Sequence, residues 1–229
     1  MDAVHLSKRL EAVAKFVPEG TRLADIGSDH AYLPANLLLN QKIAYAIAGE
    51  VAVGPYKNVL EEIERHRLGQ VLEARLANGL AAITPTDEID VVTIAGMGGH
   101  LIADILAADF KDDKHYATLI LQPNTDVDLV RRWLMEHGYH LQEETMIYED
   151  GHYYEILVAV IGKMHLDEQA LNFGPYNLER KPSIWREYWS KELKRRENIT
   201  AQLIQKKKAD TSAFEKYQEQ IKAIKEALD

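Results

Sequence analysis

A short acidic turn near the start of the chain carries the residue types most suited to chemistry. An apolar run from Leu23 leads to Asp25 and Gly27, and Asp29 stands where a dinucleotide-binding loop would carry its second glycine. Glycine permits the tight turn that such a loop makes beneath a ligand. A carboxylate at position 29 would repel a pyrophosphate, whereas it suits a ligand with a positively charged amino-acid end. The turn therefore favours S-adenosylmethionine over a dinucleotide, and methyl transfer over hydride transfer.

The same turn contains further candidates for contact with a cofactor. We expect Ser28 and His30 to line one site with Asp25, Gly27 and Asp29. Asp25 could instead be a structural carboxylate that ties the backbone amides of the loop, and Asp29 could be a helix N-cap. No second histidine lies at metal-ligand spacing from His30, so we expect no metal.

Residues after the next two predicted strands extend this site. Glu50 lies at the predicted end of the second strand, where an acid can accept hydrogen bonds from both ribose hydroxyls. The alternative is an exposed glutamate at a strand end. Asn78 and Gly79 follow the third strand, where an amide or a backbone group could contact the adenine edge. We predict that all three residues bind the cofactor.

Glycines after the fourth predicted strand indicate where the cofactor and its substrate meet. The run Gly96–Gly99 would let a flat group approach the backbone closely, and it can also be a tight turn from strand to helix. We predict that Ala95, Gly96 and Met97 contact the cofactor and that Gly98 contacts the substrate.

Two amide side chains follow the fifth predicted strand. Pro123 stiffens the turn between Gln122 and Asn124, whose amides could hydrogen-bond the edge of a nucleobase. Tyr153, in a later predicted hairpin, could stack on a base. We predict that these four residues bind the substrate, and that Asn124 is catalytic together with Asp29.

The elements that position these residues alternate between strand and helix. Apolar strands and helices succeed one another from Thr21 to His137 at the spacing of βαβ units. Two strands, Tyr139–Tyr148 and Tyr153–Ile161, then follow with no helix between them. A terminal hairpin after five βα repeats is typical of Rossmann-like methyltransferases, whereas dehydrogenases end with another parallel crossover. We predict an α/β fold with a mostly parallel, class I methyltransferase sheet and a terminal antiparallel hairpin.

The pattern becomes helical near the C-terminus. Two apolar seams step by three or four residues, which is typical of an antiparallel, coiled-coil-like hairpin. The seam residues are Trp189, Leu193, Arg196, Thr200 and Leu203 in the first helix and Phe214, Tyr217, Ile221, Ile224 and Leu228 in the second. We predict a Rossmann-like catalytic domain that binds the cofactor over residues 1–163, and a helical, coiled-coil-like domain over residues 164–229.

Charge is distributed unevenly along the chain. The net charge of −9 argues against bulk binding of nucleic acid. Nine basic and three acidic residues nevertheless lie between Lys181 and Lys208, so this segment is a candidate for binding a polyanion. The alternative is a solvated helix face. We assign Lys194, Arg195 and Arg196 to binding a nucleic-acid substrate.

Composition bounds the class of protein. The 229 residues are 46% hydrophobic and 28% charged, which suits one ordinary domain plus an appendage. The absence of cysteine excludes disulfides and thiolate metal sites. No apolar run approaches the ~20 residues that span a bilayer, and the N-terminus lacks the pattern of a signal peptide. We expect a cytoplasmic protein that binds no membrane and is a monomer or a weak dimer.

With these residues placed, the sequence resembles the bacterial tRNA (adenine-N1)-methyltransferases that modify adenine-22. The resemblance covers nearly the whole chain, and its segments are Leu6–Leu10, Ala24–Ala31, Ile94–Gly99, Leu121–Asn124 and Asp150–Glu155. It implies S-adenosylmethionine as the methyl donor and tRNA as the substrate, held in part by the helical tail. It also implies a cofactor site at Asp25, Gly27, Asp29 and Glu50, and a target base bordered by Gly96–Gly98 and Gln122–Asn124.

The implied reaction needs little acid–base chemistry. Adenine N1 carries a lone pair and can attack the sulfonium methyl directly, so alignment matters most and can contribute about 7–11 kcal/mol. The ring becomes cationic as the bond forms, and we assign its stabilisation to the carboxylate of Asp29. The residues alone leave three alternatives: an NAD-linked oxidoreductase, a small-molecule methyltransferase, and a non-catalytic scaffold that binds protein partners through its helices.

Overall fold

The computed structural model of the protein describes residues 2–109, 115–207 and 210–229. Contacts within the chain divide it into two units, Met1–His165 and Leu166–Asp229. Lys208, the last residue of the predicted basic segment, lies outside the described residues. Within those residues, no helix combines the length and the apolar character that crossing a lipid bilayer requires.

The described part of the first unit contains a seven-stranded sheet. Its strands are β1 (Arg22–Ile26), β2 (Tyr45–Glu50), β3 (Leu72–Leu76), β4 (Val91–Gly98), β5 (Thr118–Thr125), β6 (Tyr139–Glu149) and β7 (His152–Ile161). They lie in the order β3-β2-β1-β4-β5-β7-β6. Neighbours among β1 to β5 pair in parallel, and β7 pairs antiparallel with both β5 and β6. The predicted α/β sheet with a terminal antiparallel hairpin is confirmed.

The α-helices described in this unit pack against the sheet, and three of them connect parallel strands. They are α1 (Lys8–Phe16), α2 (Tyr32–Leu39), α3 (Val53–His66), α4 (Gly99–Asp109) and α5 (Val127–Glu136), with short 3₁₀ turns at Gly79–Ala82 and Pro85–Asp87. Leu23, Ile47 and Ile94, in the central strands, have no more than a trace of exposed surface. Such continuous burial is expected of parallel strands that are covered on both faces.

The fourth and fifth strands run further than the predicted strands, which end at Ala95 and Leu121. β4 continues to Gly98 and β5 to Thr125, so the change from strand to helix falls at the end of the glycine run, between Gly98 and Gly99. The two strands keep pairing across a β-bulge at Gly96, which the pattern of one strand does not reveal. α4 then begins at Gly99, where a Cβ would lie 2.2 Å from the carbonyl oxygen of Asp126. A glycine is therefore needed where this helix meets the end of β5.

The described part of the second unit is helical. Its helices are α6 (Glu168–Phe173), α7 (Pro175–Arg180), α8 (Ser183–Gln205) and α9 (Ser212–Leu228). The two short helices α6 and α7 precede the long helix α8. The Asp167 side chain caps the first by accepting a hydrogen bond from the Ala170 N–H, and Pro175 opens the second.

Helices α8 and α9 pack against each other as an antiparallel pair. The Arg186 Nη1 donates to the carbonyl oxygen of Leu228 at 3.0 Å, and the Arg196 Nε donates to the Gln220 Oε1 at 3.1 Å. Thr200, a polar member of the predicted seam, is buried because its hydroxyl donates to carbonyl oxygens one turn earlier. The structure shows a packed helical pair, and its coiled-coil geometry stays a prediction.

Candidate active site

A cavity of about 360 Å³ opens at the carboxyl ends of β1, β2 and β4. Ligands of open α/β sheets bind at this edge. The cavity brings together nine of the residues that the sequence assigned to the cofactor, namely Asp25, Gly27, Ser28, Asp29, His30, Glu50, Ala95, Gly96 and Met97. Asn78 is exposed and Gly79 begins a 3₁₀ turn, and neither is among the lining residues, so their contact with a cofactor stays a prediction.

The acidic turn folds back against the end of β2. Gly27 has a φ of +73° and Asp29 a φ of +57°, both in the left-handed region. The Gly27 N–H donates to the carbonyl oxygen of Gly49 at 2.9 Å, and the Asp29 N–H donates to the carboxylate of Glu50. A Cβ at position 27 would overlap the Met97 methyl group. The turn thus brings the side chains of Asp29 and Glu50 to one cavity.

Asp25 lies beneath this turn and is almost fully buried. Its carboxylate accepts hydrogen bonds from the hydroxyl of Ser28 and, at 2.6 Å, from the hydroxyl of Thr93 on β4. Burial raises the pKa of Asp25, although these two hydrogen bonds and the charge of Arg9 oppose the rise. Asp25 therefore holds the turn against the neighbouring strand through two side-chain hydroxyls, and it also places a carboxyl group at the cavity wall.

Glu50 lies at the end of β2 and is only 6% exposed. Burial raises its pKa, the Asp29 N–H opposes the rise, and the nearby carboxylates of Asp25 and Asp29 add to it. Three carboxyl side chains therefore share one cavity. Raised pKa values of this kind mark a place where negative charge is held without a full set of partners.

Asp29 and His30 form the more open part of the wall. The side chain of Asp29 is 68% exposed, and one carboxylate oxygen lies 3.9 Å from the His30 Nε2. The His30 ring stacks on the ring of Tyr32, with centroids 5.0 Å apart. Asp29 is accordingly accessible to a ligand, whereas Asp25 and Glu50 lie deeper.

Arg9 is a lining residue to which the sequence assigned no role. Among the described lining residues, it is the one with a permanent positive charge. Its Nη1 donates to the Gln122 Oε1 at 2.7 Å, and its guanidinium lies 5.7 Å from the ring centroid of Tyr154. The carboxylate of Glu149 accepts from the backbone N–H groups of Lys8 and Arg9, so the terminal hairpin fixes the start of α1. The sequence signal that could have pointed to Arg9 was the resemblance to the family over Leu6–Leu10.

The predicted substrate residues of the first unit lie in two places. Gly98, Pro123 and Asn124 lie at the paired ends of β4 and β5, where Asn124 is exposed and Pro123 is buried. Gln122 is fully buried beside them. Tyr153, at the start of β7, is half-buried with its ring 4.8 Å from that of Tyr148. Substrate contact by any of these residues stays a prediction.

The predicted basic residues of the second unit lie on α8. Lys194 and Arg195 are exposed, and the Arg195 Nη1 lies 3.2 Å from the carboxylate of Glu192. Arg196 is half-buried and is also paired with Glu192. Lys194 and Arg195 are thus the more accessible of the three.

The sheet order and the carboxylate-lined cavity together define a Rossmann-like methyltransferase. The family model of TrmK, tRNA (adenine(22)-N(1))-methyltransferase, matches residues 23–226. The chain belongs to this family.

Relatives match over their full lengths. A tRNA (adenine(22)-N(1))-methyltransferase of Bacillus subtilis (strain 168) is 37% identical over 239 residues, which cover 100% of this chain and 99% of the relative. The structure of a Streptococcus pneumoniae putative tRNA (m1A22) methyltransferase in complex with S-adenosyl-L-methionine is 41% identical, with a TM-score of 0.90, covering 98% of this chain and 100% of that one. The structure of M. capricolum TrmK with S-adenosyl-homocysteine is 32% identical, with a TM-score of 0.88 and 98% coverage of both chains.

Proposed function

We propose that this protein transfers the methyl group of S-adenosylmethionine to N1 of adenine-22 in tRNA, and that the acidic cavity holds the methyl donor. The observation that carries the proposal is the cluster of Asp25, Asp29 and Glu50 around one cavity at the carboxyl edge of the sheet. The cofactor bears a sulfonium and an ammonium group, both of which gain from nearby carboxylates. The Streptococcus pneumoniae and M. capricolum relatives bind S-adenosylmethionine and its demethylated product, which supports the same cofactor here.

Each end of the cofactor has a complementary group in the cavity. Glu50, at the end of β2, suits the two ribose hydroxyls, because a strand-end carboxylate can accept a hydrogen bond from each. Asp29 suits the positively charged methionine portion. The carboxylate of that portion suits Arg9, whose guanidinium lines the same cavity.

The chemistry is a direct displacement. The lone pair of adenine N1 forms a bond to the methyl carbon, the carbon–sulfur bond breaks, and its electron pair stays on the sulfur of S-adenosylhomocysteine. Positive charge moves from the sulfonium to the adenine ring, so the product needs no proton transfer. A carboxylate close to both atoms stabilises this charge throughout, and we assign that role to Asp29, with Asn124 beside the base.

The helical unit is assigned to the body of the tRNA. Lys194 and Arg195 are exposed on α8 and can contact phosphate groups without refolding. The target adenine must leave its stack or pair to reach the cavity, which costs a few kcal/mol. Contacts that hold the tRNA elsewhere can offset this cost. If both residues bind phosphates, replacing both by glutamine will lower the salt dependence of tRNA binding by about two units of slope.

The direct test is methyl transfer from labelled S-adenosylmethionine to unmodified tRNA. We expect label in tRNA that carries adenine at position 22, and none in the same tRNA with guanine there, because guanine N1 is protonated. Equal labelling of both would contradict the assigned base. Absence of label in both, with the cofactor bound, would contradict the activity.

A further inference from the structure

A β-bulge at Gly96 leaves two backbone groups outside the sheet ladder. In the pairing of β4 with β5, Ala95 lies opposite Gln122 and Met97 lies opposite Pro123, so Gly96 has no opposing residue. Its φ of +81° is in the left-handed region, which glycine adopts without strain. Because bulged residues are unpaired, the N–H and the carbonyl of Gly96 need other partners.

Two amide side chains of β5 supply both partners. The Gly96 N–H donates to the Gln122 Oε1 at 3.0 Å, and the Asn124 Nδ2 donates to the Gly96 carbonyl at 2.8 Å. The Gln122 Nε2 donates to the Asn124 Oδ1 at 3.0 Å, which closes a ring of hydrogen bonds. This ring fixes which end of each amide faces which group.

Arg9 joins the ring from the side of the cofactor cavity. Its Nη1 donates to the same Gln122 Oε1 that receives the Gly96 N–H. Gln122 is fully buried, so its oxygen must be an acceptor toward two donors and its nitrogen must face Asn124. The connection therefore runs from the cavity wall at Arg9, through a buried amide, to an exposed amide at Asn124.

We propose that Arg9 and Gln122 are positioning residues that orient the amide of Asn124, and that this orientation makes Asn124 select adenine. The proposal rests on the proposed function. The Asn124 Oδ1 uses one lone pair for Gln122 and keeps the second as an acceptor. Adenine carries its amino group, a donor, next to the N1 that is methylated. Guanine presents the acceptor O6 at that place, which the acceptor oxygen of Asn124 does not match.

The test uses tRNA with either adenine or unsubstituted purine at position 22. Purine retains the N1 lone pair but lacks the amino group, so the ratio of single-turnover rates, adenine over purine, measures the contact with that group. We expect wild-type protein to favour adenine by about 3- to 10-fold beyond the ratio of their intrinsic reactivities, the value of one well-placed hydrogen bond. The intrinsic ratio comes from the same two nucleosides with a chemical methylating agent.

The decisive variant is Gln122→Glu. It keeps an acceptor for Arg9 and for the Gly96 N–H, but it loses the donor that orients Asn124. We expect the excess preference for adenine to fall toward one, with a tenfold or greater loss of single-turnover rate and with the dissociation constant for S-adenosylmethionine changed less than about threefold. Gln142→Glu, which makes the same change at an exposed position of β6, is the matched control and should keep the wild-type ratio.

The exposed Asn124→Ser variant keeps the test decisive if the buried substitution prevents folding. It replaces the amide of an exposed residue by a shorter hydroxyl, and it should also lose the excess preference for adenine. A wild-type ratio equal to the intrinsic one, or an unchanged excess in folded Gln122→Glu or Asn124→Ser protein, would overturn the proposal. Failure of wild-type protein to methylate either tRNA would instead overturn the proposed function itself.

Discussion

In the first unit, the pKa values of two carboxyl groups of the cavity and of the carboxyl group of Asp87 are shifted in opposite directions. In the cavity, burial raises the pKa of Asp25 and of Glu50 above their ordinary values. At the end of the turn before β4, the Arg75 guanidinium holds the pKa of Asp87 well below its usual range. All three carboxyl groups are largely buried, and what differs is whether a cation of the fold donates hydrogen bonds directly to the carboxylate, as Arg75 does to Asp87. The comparison separates a site prepared for a cationic ligand from a structural ion pair.

Asp87 has all its partners within the chain. Its two oxygens accept hydrogen bonds from the Nη1 and Nη2 of Arg75, at 2.5 and 2.8 Å. The backbone N–H and the hydroxyl of Thr84 donate to the same carboxylate, at 2.6 and 2.9 Å. A ligand has nothing to add to this carboxylate, whereas Asp25 and Glu50 gain from a cation that enters the cavity.

Asp29 gives the largest expected effect on the cavity side of the comparison. We expect Asp29→Asn to reduce the single-turnover methylation rate by about 10²- to 10³-fold, the usual loss when one group that stabilises transition-state charge is removed. Rapid-quench measurement with saturating cofactor and tRNA checks this. Asp128→Asn, at an exposed position of α5, is the control. A folded, cofactor-bound Asp29→Asn protein with wild-type turnover would remove Asp29 from the mechanism.

Glu50 tests the same cavity through binding. We expect Glu50→Gln to raise the dissociation constant for S-adenosylmethionine by about 10- to 100-fold, because hydrogen bonds to a charged group contribute about 1.5–3 kcal/mol. The free energy of unfolding should not fall, since the substitution removes a desolvated carboxylate. Calorimetric titration and chemical denaturation measure the two quantities, with the exposed Glu61→Gln variant as reference. An unchanged affinity would place the ribose elsewhere.

Asp87 should show the reverse pattern. Asp87→Asn leaves Arg75 without its main partner, so we expect the free energy of unfolding to fall by about 1–3 kcal/mol. The affinity for S-adenosylmethionine should stay the same, because Asp87 does not line the cavity. A loss of affinity without a loss of stability would show that Asp87 serves ligand binding and not the fold.

The contributions of Asp87 and Glu50 to the stability of the fold should depend on pH with opposite signs. Asp87 has a lowered pKa, so its stabilisation is present above the ordinary value of 3.8 and is lost as the pH falls below it. Glu50 has a raised pKa, so the folded protein retains this proton to a higher pH than the unfolded chain does, and stability falls as the pH rises past 4.5. A bound cation favours the charged carboxylate.

Cofactor affinity should therefore weaken as the pH is lowered from 7.5 through the raised pKa of Glu50. The dependence of cofactor affinity on pH should be shallower in Glu50→Gln, because glutamine has no carboxyl proton to release. Titrating both proteins with S-adenosylmethionine at several pH values in this range measures the dependence. Equal slopes would show that the protonation of Glu50 is not coupled to cofactor binding.

Local chemistry made much of the site predictable from the sequence. The spacing of Asp25, Gly27 and Asp29 identified the turn because all three act within one stretch of chain. Glu50 followed from its place at the end of the next strand. The terminal hairpin was predicted because two strands follow each other with no helix between them.

Contacts between segments that are distant in the chain could not be predicted from local sequence patterns. The Arg9–Gln122 hydrogen bond joins residues 113 positions apart, and the Thr93–Asp25 bond joins residues 68 positions apart. The bulge at Gly96 depends on the register between two strands, so the pattern of β4 alone did not show that the strand continues to Gly98. These features arise from packing, which a single sequence does not display.

The most direct test of an acidic cavity that binds a cationic nucleoside is competition between two cofactors. Wild-type protein is titrated with S-adenosylmethionine alone and then in the presence of NAD⁺, whose pyrophosphate is anionic. We expect saturable binding of S-adenosylmethionine that excess NAD⁺ leaves unchanged. Displacement of S-adenosylmethionine by NAD⁺, with the pyrophosphate seated against Gly27 and Asp29, would contradict it.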